Sequence, residues 1–161
     1  MSQPMSTEHP SIVRFREAHT RLGGTGEIVI LPDSVHTAAL AAEALGCEVG
    51  AIANSLVFDV EGTPLLVVAS GAHRVDTEHL ARTLGVGRIR RATAEFVTRH
   101  TGQQVGGVAP VGHPTPLRTV VDVALGAHPV VWAGAGDELS MFPTSFDELV
   151  RLTGGLPSTV R

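Results

Sequence analysis

Ile12, Phe15, His19 and Leu22 recur at helical spacing, with Pro10 placed to open a helix and Gly23-Gly24 placed to stop it. A short strand is expected over Glu27 to Leu31. Asp33 or Ser34 can then cap a second helix, whose small apolar face, Ala38, Ala41, Ala42 and Leu45, runs to Gly46. The period changes to that of strands over Ser55 to Val60 and Pro64 to Ser70, and Glu61-Gly62-Thr63 between them supplies the glycine a hairpin needs. Asp76 predicts the cap of a helix carrying Leu80 and Leu84, and Thr93 the cap of another carrying Phe96 and Val97; Arg88 to Arg91 between them leaves room only for a short strand.

Beyond Gly102 the chain is rich in glycine and proline before apolar runs return at Leu117 to Val121, Val130 to Ala133 and Leu139 to Phe142. A last helix is expected from Thr144 or Ser145 to about Thr153, ended by Gly154-Gly155. Strands come in groups with helices between the groups, so a strict strand-helix alternation fails. The expected class is α+β, with a mixed, mostly antiparallel sheet flanked by helices. Residues 1–9 are polar and turn-forming and are expected to be a loose tail, leaving 10–161 as one domain.

Composition narrows the chemistry. Hydrophobic residues make up 43% and charged residues 17%, which favours a packed core, while the 4% of aromatics leaves little for stacking platforms that grip bare single strands. A net charge of −4 excludes broad attraction to phosphate, so any nucleic-acid contact must be local. Arg88, Arg90 and Arg91, extended by Arg82 and Arg99, could form such a contact or an ordinary solvated edge. Cys47 is the single cysteine, which excludes an internal disulfide and suits a reducing, cytoplasmic setting. No apolar run is long enough to cross a bilayer, and MSQPMSTEHP lacks the features of an export signal.

In the segment Gly106-Gly107-Val108-Ala109-Pro110-Val111-Gly112-His113-Pro114, glycine and proline crowd between strand-like flanks. Glycine lets main-chain N–H groups approach a ligand and proline stiffens the loop, an arrangement suited to holding a carbonyl or anionic oxygen; a wide turn is the other reading. Gly134-Ala135-Gly136 follows an apolar strand and could bring backbone to the same ligand. It matches neither a phosphate loop nor a dinucleotide fingerprint. The eight histidines form no close helical ligand pair and Cys47 has no cysteine partner, so a zinc site is not expected. His113 could face whatever the glycine-rich loop holds. No serine sits in a nucleophile elbow, so in a hydrolase the attacking group would be water. Asp122, at a strand end, is read as a residue that bonds a neighbouring loop's backbone or orients a site.

Read in order, HTAALAAEALGCEVGAIANSLVF, TPLLVVASGAHRV, TGQQVGGVAPVGH and VVWAGAGDELSMFPTSFDELVRLTG resemble the YbaK/prolyl-tRNA-synthetase-associated editing domain family, in its free-standing ProX-like branch. The resemblance spans about Glu27 to about Gly154 and implies that family's fold, including a partly barrel-like sheet. It also implies an aminoacyl-tRNA deacylase that removes a small amino acid, such as alanine or cysteine, from the acceptor end of misacylated tRNA, chiefly of the tRNA-Pro class. Gly106, Gly107, Val108, Ala109 and Pro110 would then hold the aminoacyl carbonyl while water, helped by the terminal ribose hydroxyl, attacks the ester. Asn54, Ser55, Gly112, His113, Gly134, Gly136 and Leu139 would line the substrate site.

Two positions depart from the family pattern. Asn54 stands where lysine is usual, losing a charge-assisted bond to phosphate worth about 1.5–3 kcal/mol, and Leu139 stands where many members have histidine. Two other roles fit the same residues. One is a member that binds tRNA ends, a nucleotide or an amino acid without hydrolysis; the other is an interaction domain whose partner is an aminoacyl-tRNA synthetase.

Overall fold

The computed structural model describes residues 9–161, so the expected tail lies outside the described residues except for His9. His9 caps α1 (Pro10–Arg21), its Nδ1 accepting the Ser11 N–H at 3.1 Å, with Pro10 in the first turn as its missing N–H allows. Strand β1 is only Val29–Ile30, both exposed, because it borders the sheet along one edge, against β7. Helix α2 (Ala38–Leu45) is capped by Thr37 rather than by Asp33 or Ser34: its hydroxyl accepts the Leu40 N–H at 3.2 Å, and the preceding residues instead form a loop against the β6–β7 turn. Strand β2 (Ile52–Val60) begins earlier than the hydrophobic alternation suggests, since it joins β6 before it meets its hairpin partner β3 (Thr63–Ser70). The hairpin turns through Glu61 at φ 54° and Gly62 at φ 88°, both left-handed, with the Gly62 N–H bonded to Asp59 Oδ1 at 2.6 Å.

Helices α3 (Thr77–Leu84) and α4 (Ala94–Thr101) are capped by Asp76 and Thr93, as the sequence predicts, and β4 (Ile89–Arg91) lies between them. Strands β5 (Arg118–Asp122), β6 (Val131–Gly134) and β7 (Ser140–Thr144) follow, then α5 (Phe146–Thr153) capped by Ser145. A final strand, β8 (Leu156–Ser158), escapes the sequence pattern because it is short, carries Pro157 and touches only the sheet edge at β5.

The sheet runs β1-β7-β6-β2-β3-β5-β8, with β4 on β2. Three pairs are parallel (β2 with β6, β3 with β5, β5 with β8) and four antiparallel (β1 with β7, β6 with β7, β2 with β3, β2 with β4), and the long β2–β3 hairpin makes the sheet mostly antiparallel. Its two ends do not pair with each other among the described residues, so the expected barrel character stops short of closure. One face packs Phe15 and Ala18 of α1 and Leu149 and Leu152 of α5 against Leu66, Val68, Val121, Ala133 and Phe142. The other buries Leu80 of α3 on Leu65, Val67 and Ala69, and Ala41 and Ala42 of α2 on Ile52 and Met141.

His19 and Glu148 link this packing to acid stability. His19 stacks on Phe15 and edges onto Phe142, its Nε2 is buried without a partner, and burial lowers its pKa although the Glu148 charge pulls the other way. Burial opposes ionisation of Glu148, but hydrogen bonds from Thr144 (2.7 Å) and Thr25 (2.9 Å) outweigh it and hold the carboxyl below its ordinary value. Both shifts are depressions, so in each case the unfolded chain takes up the proton first as pH falls, and the fold loses stability. The His19 contribution fades below about pH 6.5 and that of Glu148 below about pH 4.3, the ordinary values of the two groups. Urea midpoints at pH 7.5 and pH 5 should therefore differ less for His19→Leu than for the unmodified chain; an unchanged difference would remove His19 from this role.

Candidate active site

Helix α4 ends at Gly102, in the left-handed conformation at φ 70°, and delivers the chain into residues 103–117. Gln103 turns inward and is buried, and its Oε1 accepts the Ala109 N–H at 2.8 Å across the neck of the loop. The Gly107 N–H is also spent, on the Gln104 carbonyl at 2.9 Å. Between them the Val108 N–H has no partner among the described residues, although Val108 itself is buried. The side chains of Val108, Ala109 and Val111 fix the loop in the cluster of Phe15 and Phe142. The loop is thus held from both sides, with the Val108 N–H left unspent between two bonded amides.

Glycines allow this loop to meet its neighbours backbone to backbone. A Cβ on Gly107 would lie 2.9 Å from Asp137 Cα and 3.0 Å from Asp137 C, and one on Gly134 would lie 3.1 Å from the Val108 carbonyl oxygen. The two glycine clusters singled out in the sequence therefore come together. Gly106, at φ 91°, makes the turn and faces His36, whose Cβ is 3.1 Å from the position a Gly106 Cβ would take.

Register places Asn54 beside the same spot. It pairs with Ala69 on β3, while Ala53 pairs with Ala133 on β6, so Gly134 follows next to Asn54. Asn54 alternates with Ile52 and Leu56 and shares their face, flanked by Ala69 and Gly134, which add almost no side-chain bulk. By the same alternation Ser55 belongs to the opposite face with Ala53 and Val57, and its Oγ is buried without a partner. Asn54 and Ser55 therefore do not meet in one pocket.

The remaining expected residues divide. His113 turns back on its own loop, its Nε2–H donating to the Ala109 carbonyl at 2.8 Å, and burial lowers its pKa despite that bond. Gly112 lets the loop pass the backbone of Phe15, where a Cβ would lie 2.8 Å from Cα. Gly136 packs on α1, its carbonyl accepting the Ser11 hydroxyl at 2.6 Å. These three brace the loop and the β6–β7 turn from behind. Leu139 is in that turn, its N–H bonded to Asp137 Oδ1 at 2.9 Å and its side chain exposed. Arg90 and Arg91 pair with Asp59 and Phe58 at the far end of β2, about four residues or roughly 13 Å of strand from Asn54. Arg99 pairs loosely with Glu95 (3.6 Å) beside a surface cleft of about 660 Å³ that Gln104 and Val105 also line.

Gln103, Ala69 and His36 were not legible as site residues. Gln103 is one polar residue among several after a helix end, Ala69 matters only through register, and His36 matters only through a contact 70 residues along the chain. Asp122 has the first of the roles expected for it: buried at the end of β5, it accepts the Ser70 N–H (3.0 Å), the Ala124 N–H (2.9 Å) and His73 Nδ1 (2.9 Å). Among the described residues no helix is long and apolar enough to cross a membrane, and no group of three or more His, Cys, Asp or Glu is arranged to hold a metal ion.

Comparison with known proteins places this geometry. Residues 32–152 match the model of the aminoacyl-tRNA editing domain. A crystal structure of a candidate trans-editing enzyme for prolyl tRNA synthetase superposes with a TM-score of 0.89 at 40% identity, covering 96% of this chain and 99% of that one. The uncharacterized protein YwhH of Bacillus subtilis is 29% identical over 86% of this chain and 88% of its own length. A proline--tRNA ligase of Geobacter sulfurreducens is 34% identical over 58% of this chain, a match spanning only 16% of the ligase. With three quarters of its length matched by the family model and its fold shared throughout, the chain belongs to the aminoacyl-tRNA editing domain family.

Proposed function

We propose that this protein is a cytoplasmic trans-editing deacylase that hydrolyses the ester of a misacylated tRNA, of the tRNA-Pro class, carrying a small amino acid. The observation that carries the reading is the unspent Val108 N–H, set between two amides already bonded and held by a buried loop next to Gly134 and Asn54. A fixed donor of this kind can take the ester carbonyl oxygen and stabilise the negative charge that develops there when water attacks. The terminal ribose hydroxyl assists that water, and the amino acid leaves as its carboxylate. Neither metal nor organic cofactor enters the scheme. Ala69 and Gly134 leave space for a small side chain only, and each excess methylene costs about 1–3 kcal/mol in such a pocket.

Deacylation of a panel of mischarged tRNAs tests the proposal. Release should be fastest from tRNA-Pro carrying alanine or a similarly small residue; no release above buffer from any member of the panel would reject it. A second reading, binding without hydrolysis, is favoured by Asn54, which cannot offer a cation to phosphate. Asn54→Lys separates the two: in a working site it should raise kcat/KM by roughly tenfold or more, the equivalent of about 1.5–3 kcal/mol. In a site that only binds, it should tighten tRNA without releasing amino acid.

A further inference from the structure

Gly107, Val108 and Ala109 present consecutive main-chain amides, and what singles out that of Val108 is how its two neighbours are spent. Both are taken by one dipeptide at the entry of the loop. The Gln104 carbonyl accepts the Gly107 N–H at 2.9 Å, and Gln103 Oε1 accepts the Ala109 N–H at 2.8 Å. An N–H needs an acceptor, so the side-chain oxygen of Gln103, not its nitrogen, is the atom turned to Ala109. Gln103 is itself fixed from α4: its own N–H is bonded to Thr101 Oγ1 at 2.9 Å, and that hydroxyl donates to the Val97 carbonyl at 2.7 Å. On the other side the Ala109 carbonyl accepts from His113 Nε2 at 2.8 Å, so both main-chain groups of Ala109 are held.

Stability alone does not account for a glutamine at this place. The side chain is 1% exposed, and its Nε2 is buried with no partner among the described residues. A buried amide with one end unpaired fills a core less well than an apolar side chain of the same length. We infer that Gln103 is a positioning residue for the deacylation: it consumes the Ala109 N–H and ties the loop to the end of α4, so that the Val108 N–H alone is presented to the ester oxygen. This rests on the deacylase reading above. Gln103 is too deeply buried to touch the reacting atoms; it acts by holding a donor within about 0.5 Å of its productive place.

The test is the deacylation kinetics of alanyl-tRNA-Pro with the full chain carrying Gln103→Met or Gln103→Glu. Methionine keeps the length of the side chain and loses the acceptor. It should lower kcat roughly 10²-fold, what a displacement near 1 Å costs, and leave KM nearly unchanged, since a buried side chain adds nothing to ground-state binding. The thermal midpoint should hardly move, because removing the unpaired Nε2 offsets orphaning the Ala109 N–H. Glutamate keeps an oxygen for Ala109 in either protonation state and should recover most of kcat. In amide spectra with a non-hydrolysable alanyl-adenosine analogue, Gln103→Met should let the Ala109 resonance move together with that of Val108. A Gln103→Met protein with unchanged kcat, or a Gln103→Glu protein equally slow, would overturn the inference and leave the deacylase reading standing. A Gln103→Met chain that does not fold would assign the residue to stability and overturn it too. Release from no mischarged tRNA by the unmodified protein would overturn both.

Discussion

Gly107→Ala should lower deacylation by roughly 10²-fold in a protein that still folds, at a cost of about 1–3 kcal/mol in stability. The added methyl would lie 2.9 Å from Asp137 Cα, 3.0 Å from its carbonyl carbon and 3.2 Å from the Glu138 nitrogen. All three are main-chain atoms, so no rotamer relieves the contact and the loop itself must move. Gly107 does not sit in the left-handed region, which makes the effect one of space rather than of backbone preference. A displacement near 1 Å at a positioning element costs about 10²-fold in rate, and losing one oxyanion donor costs about 10²–10³. Single-turnover assays on alanyl-tRNA-Pro would measure the fall. Val105→Ala, at the 60% exposed apex of the same loop, should leave the rate unchanged and serves as the control.

The largest expected loss of stability is that of Asp122→Ala, about 3–5 kcal/mol. The carboxylate is 1% exposed and accepts from two backbone N–H groups and one imidazole nitrogen. Each buried group left unpaired costs about 1–3 kcal/mol. Because Ser70 follows Ala69, and its own hydroxyl ties the Gly50 carbonyl at 2.9 Å, the loss also loosens the strand ends that set the register at Asn54. Urea unfolding should show a lower midpoint at unchanged slope; a shift below about 1 kcal/mol would mean that the three donors find other acceptors.

Most of the fold could be read from local patterns because its helix caps and hairpin are set by residues close in sequence. Thr93, Ser145, Asp76 and the Glu61-Gly62 turn are such cases. Elements whose limits depend on distant partners were misjudged: β2 is lengthened by β6, β1 is trimmed to two residues at the edge, and β8 exists only through β5. The cap of α2 moved to Thr37 because the loop of Ser34 and Val35 is engaged with Glu138. The candidate site follows the same rule. Its glycines announce themselves by composition, whereas the amide of Gln103 that pins the loop and the small floor at Ala69 become visible only when strands and loops are brought together.

The central claim is that the Val108 N–H is the free donor that receives the ester oxygen. Amide chemical shifts recorded by nuclear magnetic resonance during titration with a non-hydrolysable alanyl-adenosine analogue test it most directly. The Val108 resonance should move downfield as it gains an acceptor, while those of Gly107 and Ala109, already bonded, stay nearly fixed. Saturable binding that leaves Val108 unmoved would contradict the claim.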